Sequence, residues 1–314
     1  FYDVNPIVDS WNNIGKYENV TNAFFIFDEQ RVVGYGSWAK TFIRIARRNK
    51  WILLSATPGD VWMDYASVFI ANGFYQNISD FRRQHVVYSR YTKYPKIERY
   101  INIDILERRR NKILVNMEFK RPTMSHHIDI FVNYDKETCN NIEKLRWNPY
   151  DNEPIENASE FCYLLRKVVN SDDERILELE HLIEKHNKVI VFYNFNYELN
   201  LIKEMLENRM FIFSEWNGHK HQEIPQSESW VYLVQYTAGA EAWNCIDTNV
   251  IIFYSQNYSY KIMQQSAGRI DRLNTPFQDL YYYHLISNSR IDKNIKAALE
   301  NKKQFNELAF FNSL

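Results

Sequence analysis

At 314 residues, with 45% hydrophobic and 25% charged residues, the chain holds about two domains and has the composition of a soluble globular protein. Its formal net charge of −1 excludes a uniformly basic coat, so a polyanion site has to come from local clustering. Cys139, Cys162 and Cys245 lie far apart without zinc spacing, which fits a reducing, intracellular compartment, and no apolar run reaches transmembrane length, so no membrane partner is expected.

The start, FYDVNPIVDSW, has neither a signal peptide nor an initiator Met, and further sequence is expected before it. NAFFIFDE is a short apolar run ending in Asp28 and Glu29 and reads as a buried strand with an acidic tip. GSWAKTFIRIARRNK has helical spacing, opened by Gly36 and Ser37. WILLSATPG reads as a strand stopped by Pro58 and Gly59, and VWMDYASVFIANGF as a helix ending at Gly73. Strand, helix, strand with short joins predicts a parallel α/β unit.

Residues 82 to 121 change character, with twelve Lys or Arg against four acids. HHIDIFVNYD then reads as extended, and residues 135 to 170 as polar helices with loops. A second alternating block begins near Asp172. Its strands are VIVFYNF, MFIFSEW, SWVYLVQY, TNVIIFYS and QDLYYYHLIS. Its helices are DDERILELEHLIEKHNK, NYELNLIKEMLENR, SYKIMQQSAGRIDRL and one long C-terminal helix, SRIDKNIKAALENKKQFNEL. Two blocks of one architecture predict two α/β domains, residues 1–134 with the basic insert and residues 135–314.

Four stretches carry chemistry. Asp28 and Glu29 sit where ligands bind in open α/β sheets, and an Asp there can hold Mg²⁺, although a solvated strand end would look the same. SATPG, with Ser55 and Thr57, follows the next strand at the same edge, or is a plain turn. YTAGAEAWN ends a later strand. Its Gly239 admits close backbone approach, while Glu241 and Asn244 offer polar groups; a strand-to-helix loop is the plainer reading. In QQSAGRIDR, Gln265, Gly268, Arg269 and Arg272 are predicted on one helix face. Gly268 would cost that helix about 1 kcal/mol against Ala, and paired arginines suit a planar hold on phosphate, or an ion pair with Asp271.

Taken in order, these stretches resemble a superfamily 2 helicase. FFIFDEQ is similar to motif II, LLSATPG to motif III, KVIVFYNF to motif IV, QYTAGAEAWN to motif V and QQSAGRIDR to motif VI. The join through FRRQH, RRRNKILVNM and PTMSHHIDIFV, and the tail through GRIDRLNTPFQDLYYYHLI, resemble the Swi/Snf-type translocase branch. The resemblance implies two RecA-like parallel-sheet lobes, the first incomplete at its N-terminus, that clasp ATP. Asp28 would hold Mg²⁺, Glu29 would orient the attacking water, and Arg269 and Arg272 would meet the γ-phosphate. Gln30, Gly239, Glu241, Gln265 and Gly268 would border the nucleotide. Ser55, Thr57, Thr237 and the triplet Arg108, Arg109 and Arg110 would face nucleic acid.

DEQR stands where DEAH or DEGH is usual, AEAWN replaces a glycine-richer motif V, and no GxxxxGK[ST] occurs in the sequence. Because IGKY at residues 14–17 is no P-loop, the chain is expected to be the C-terminal piece of a helicase-like ATPase, inactive by itself. The expected partner is DNA, duplex or forked, with replication or recombination proteins beside it. The expected setting is the cytoplasm of a bacterium or a phage-infected host, from the AT-rich flavour of the composition. The alternatives are an ATPase-inactive fragment that binds nucleic acid or protein, and the motor part of a restriction system.

Overall fold

The computed structural model describes residues 5–29, 31–55, 58–89, 94–116, 122–239 and 244–313. These fall into two compact units that divide between residues 118 and 119.

In the first unit a 3-10 helix (Trp11–Tyr17) precedes β1 (Phe24–Asp28), α1 (Ser37–Ala46), β2 (Lys50–Leu54) and α2 (Trp62–Ala71). Then come α3 (Ile78–His85), β3 (Val86–Tyr88), β4 (Ile97–Tyr100) and α4 (Ile103–Ile113). β1 and β2 pair in parallel from Phe24 opposite Lys50 to Asp28 opposite Leu54, as the strand–helix–strand pattern predicts. Side chains alternate along each strand. Phe27 stacks on Trp11 with ring centres 5.2 Å apart and meets Phe42 of α1 edge-on at 5.0 Å. On the other face Phe24, Ile26, Ile52 and Leu54 are exposed. Gly73 takes φ +78° after α2, the left-handed conformation that glycine adopts without strain and that ends the helix. Buried His85 fixes the α3–β3 corner: its Nδ1 pairs with Ile101 O at 3.0 Å and its Nε2 with Tyr75 Oη at 2.6 Å.

The second unit opens with β5 (Met124–Val132), α5 (Lys136–Leu145), the short hairpin β6 (Trp147–Asn148) and β7 (Glu153–Pro154), α6 (Ala158–Asn170) and α7 (Asp173–Lys185). It continues with β8 (Lys188–Tyr193), α8 (Asn196–Asn208), β9 (Phe213–Trp216), β10 (Trp230–Gln235) and α9 (Tyr236–Gly239). Then follow β11 (Val250–Phe253), α10 (Tyr260–Ala267), β12 (Asp279–Ser287), α11 (Arg290–Glu300) and α12 (Glu307–Asn312). The six strands pair in parallel in the order β5-β12-β11-β8-β10-β9. Central strands of such a sheet are covered on both faces and read as unbroken apolar runs, which is why Val189 to Tyr193 are all buried. Leu182 and Ile183 of α7 and Ile202 and Leu206 of α8 cover one face. Met263 of α10 and Ile270 cover the other.

Three expectations change. Residues 124–132, read as lying before the domain boundary, pair with β12 in the second sheet. The helix read through Leu273 stops at Ala267, because the chain turns at Gly268 to bury Ile270. The single C-terminal helix breaks into α11 and α12: Lys302 takes φ +55°, and Lys303 N–H returns to Ala298 O at 2.9 Å. The break lets Phe305 and Phe310 bury with Phe161 of α6.

Candidate functional site

In the first unit the acidic tip forms because β1 ends abruptly. Asp28 is the last strand residue, exposed, and its carbonyl accepts from Trp11 Nε1 at 2.7 Å. Glu29 takes φ +65°, a left-handed conformation uncommon for a non-glycine residue and a known mark of constrained sites. Since Asp28 pairs with Leu54, Ser55 follows directly at the neighbouring strand end. The acid pair and Ser55 therefore share one sheet edge. The loop beyond Glu29 is tied back where Ser67 Oγ donates to Gly34 O at 3.0 Å. Gln30 and Thr57 lie outside the described residues.

The arginine triplet divides. Arg109 lies 4.3 Å over the Tyr75 ring and 5.7 Å over Phe74, and Arg110 lies 5.3 Å over Trp62. Both are half-buried, and only Arg108 is exposed, paired with Asp104 at 3.0 Å. Joint service of all three to nucleic acid does not fit this placement, because two of them pack against the core aromatics.

In the second unit β10 runs straight into the single turn α9, with Thr237 exposed and Gly239 at its end. Tyr236 is buried and its hydroxyl donates to Ser255 O at 3.0 Å, which anchors that turn. Glu241 lies outside the described residues. α9 lies against α10. The link is extended where Cys245 N–H donates to Arg269 O at 3.1 Å and Tyr282 Oη to Ala267 O at 3.1 Å. Gln265 is on α10, but Gly268 is its C-cap with φ −65°, Arg269 lies in the turn that follows, and Arg272 lies in the irregular stretch beyond it. The predicted helix-interior cost at Gly268 does not arise. Arg269 is 7% exposed and Arg272 half-buried, so neither projects freely into solvent.

Sequence reasoning missed a buried polar frame at the ends of β8, β11 and β12. Arg175 Nη1 donates to Tyr254 O at 2.7 Å and to Leu285 O at 2.8 Å, and Arg166 Nη2 donates to Gln256 O at 2.8 Å. Glu198 accepts from Asn194 N at 2.7 Å, Ser255 Oγ at 2.9 Å and Asn170 Nδ2 at 2.8 Å. The signal available was positional: an acid in the first turn of a helix satisfies open N–H groups.

No known protein family and no curated protein matches this sequence. Among solved structures, the C-terminal part of the Fun30 ATPase domain is similar at 20% identity over 48% of this chain and 54% of that chain, with a TM-score of 0.37. The Sulfolobus solfataricus SWI2/SNF2 ATPase core, solved with double-stranded DNA, is similar at 12% identity over 97% of this chain and 72% of that chain, with a TM-score of 0.40. The chain thus spans about half the length of the Fun30 structure. Likeness at this level assigns no role to any residue.

Proposed function

We propose that this chain is the motor part of an ATP-dependent DNA translocase or helicase. The observation that carries the reading is the acid pair Asp28–Glu29 at the end of β1, beside Ser55 at the end of the parallel strand β2. A lone exposed carboxylate fits Mg²⁺, which takes one or two carboxylates and fills its remaining positions with water and phosphate oxygens. Asp28 would hold that ion, and the bound metal would neutralise charge gathering on the transferred phosphoryl group. Glu29 orients the attacking water. Arg269 and Arg272 stabilise charge as the γ-phosphate leaves, with Gln265 and Gly268 beside them. Ser55, Thr237 and Arg108 face the nucleic acid, whereas Arg109 and Arg110 hold α4 in place.

The test is DNA-stimulated ATP hydrolysis by the full-length protein on single-stranded, duplex and forked DNA. Asp28→Ala and Glu29→Gln each abolish turnover, and Glu29→Gln still binds nucleotide. Near-normal turnover in both variants would sink the assignment.

A further inference from the structure

The second sheet ends in two edge strands, and the chain treats them differently. β9 is short, and the loop after it folds back over its outer side: Gln222 N–H donates to Glu215 O at 3.0 Å, and Trp216 forms an antiparallel bridge with His221. β5, at the opposite edge, is nine residues long. Its ladder with β12 runs unbroken from Met124 opposite Asp279 to Val132 opposite Ser287. Met124 N–H donates inward, to Gln278 O at 2.7 Å. Alternate residues of a parallel strand bond to the same neighbour, so Ser125, His127, Asp129 and Phe131 turn their main-chain groups outward. Among the described residues, no hydrogen bond satisfies those groups. The row closes only at its far end, where Asn133 N–H donates to the Glu174 carboxylate.

The usual protections of an edge are missing from this strand. MSHHIDIFV contains no proline, no lysine and no bulge. Its one carboxylate, Asp129, is neutralised by Lys296, and Met124 and Phe131 are 61% and 59% exposed. A bare edge of this kind accepts a further strand.

The pattern of side chains points to the strand it accepts. Two identical edges related by a twofold axis meet antiparallel. With the axis at Ile128, MSHHIDIFV complements itself: His127 stands opposite the second copy's Asp129, Ser125 opposite its Phe131, and Ile128 opposite Ile128. The outward groups then face one another and form about eight main-chain hydrogen bonds. An axis at Asp129 would set two carboxylates opposite each other, which is unfavourable, and any axis further along shortens the paired row. We propose that β5 pairs with β5 of a second copy of this chain, antiparallel about Ile128, and so joins two six-stranded sheets into one. This pairing does not depend on the motor reading.

Sedimentation equilibrium of the full-length protein should show a monomer–dimer equilibrium that stops at the dimer, because twofold pairing uses up the edge. Ser125→Pro removes an outward N–H and breaks no bond to β12. It should raise the dimer dissociation constant about tenfold or more and leave the melting temperature of the dilute protein unchanged. Ile128→Cys sets two thiols across the axis in a non-hydrogen-bonded pair, with Cα atoms about 4.5 Å apart, and should form a covalent dimer under mild oxidation. The native thiols of Cys139, Cys162 and Cys245 are buried and stay out of that reaction. If Ser125→Pro fails to fold, the Ile128→Cys cross-link decides. A monomer at every concentration overturns the proposal. So does a dimer whose affinity Ser125→Pro leaves intact, since it is built on another surface, or a cross-link through Asp129→Cys in place of Ile128→Cys. A monomer that binds an extended peptide along β5, with amide exchange slowed from Ser125 to Phe131, overturns the second copy as the occupant.

Discussion

Removing the Arg109 guanidinium should cost the fold more than removing its neighbour Arg108. Arg109 lies over Tyr75, one of the aromatics that build the first core, while Arg108 pairs with exposed Asp104. A desolvated cation–π contact is worth up to about 2 kcal/mol and an exposed helical ion pair about 0.5 kcal/mol. Urea denaturation should therefore show Arg109→Ala shifted to lower midpoint and Arg108→Ala nearly unmoved; equal shifts would refute the division. The three arginines look alike as letters. What separates them was nonetheless legible in helical spacing, since 109, 110 and 113 fall on the face of buried Leu106. The acid pair was legible because a strand end has one geometry. His284 was not, because its state depends on neighbours far along the chain. Burial, reinforced by His127 with its Nδ1 3.0 Å from His284 Nε2, pulls the His284 pKa from 6.5 down to about 4. Asp129 opposes that shift and Lys296 supports it. The unfolded chain binds this proton more readily than the folded one, so stability falls as pH drops from 6.5 toward about 4. Melting temperatures across that window should decline in the wild type, and less in His284→Gln. An identical decline in both would remove His284 as the cause.

Elements with strong periodicity or unbroken apolar runs emerge where expected: α1, α2, α7, α8, β10 and β11 each sit within the stretch read for them, and β8 begins one residue before its own. The two helix failures share one cause. At the end of α10 and between α11 and α12, local spacing continues a helix that tertiary burial interrupts. Ile270 enters the core below the sheet, and Phe305 and Phe310 enter the core around α6. Helical propensity differs by only tenths of a kcal/mol per residue, whereas burying one phenylalanine outweighs several such preferences. α12 also clamps Arg146, whose guanidinium lies 4.1 Å from the Phe161 ring centre and 4.2 Å from that of Phe311. Phe310→Ala should destabilise the second unit by about 3 kcal/mol, the lower end for a buried phenylalanine. Amide exchange should then speed up through α12 and α6 while β8 stays protected. Uniform loss of protection would mean that α12 is no separate layer but part of one indivisible core.

For the whole molecule, the two units differ in how completely their sheets are covered. The second carries six parallel strands with helices on both faces, three apolar clusters and a buried arginine frame. The first carries two parallel strands with Phe24, Ile26, Ile52 and Leu54 exposed on one face. Parallel sheets are stable when both faces are dry, and each half-exposed phenylalanine or isoleucine forgoes much of the roughly 1.5–3 kcal/mol that full burial supplies. Expressed separately, residues 119–314 should therefore unfold in one cooperative transition. Residues 1–118 should melt earlier or associate through the bare strand face. Ile26→Lys and Ile52→Lys together should keep the first unit in solution without lowering its melting temperature, because both side chains already meet water. Circular dichroism melts and light scattering on the two pieces decide the matter. A first unit that melts as high as the second and stays monomeric would mean that the exposed face needs no cover. A double variant that unfolds would mean that the face is packed in solution.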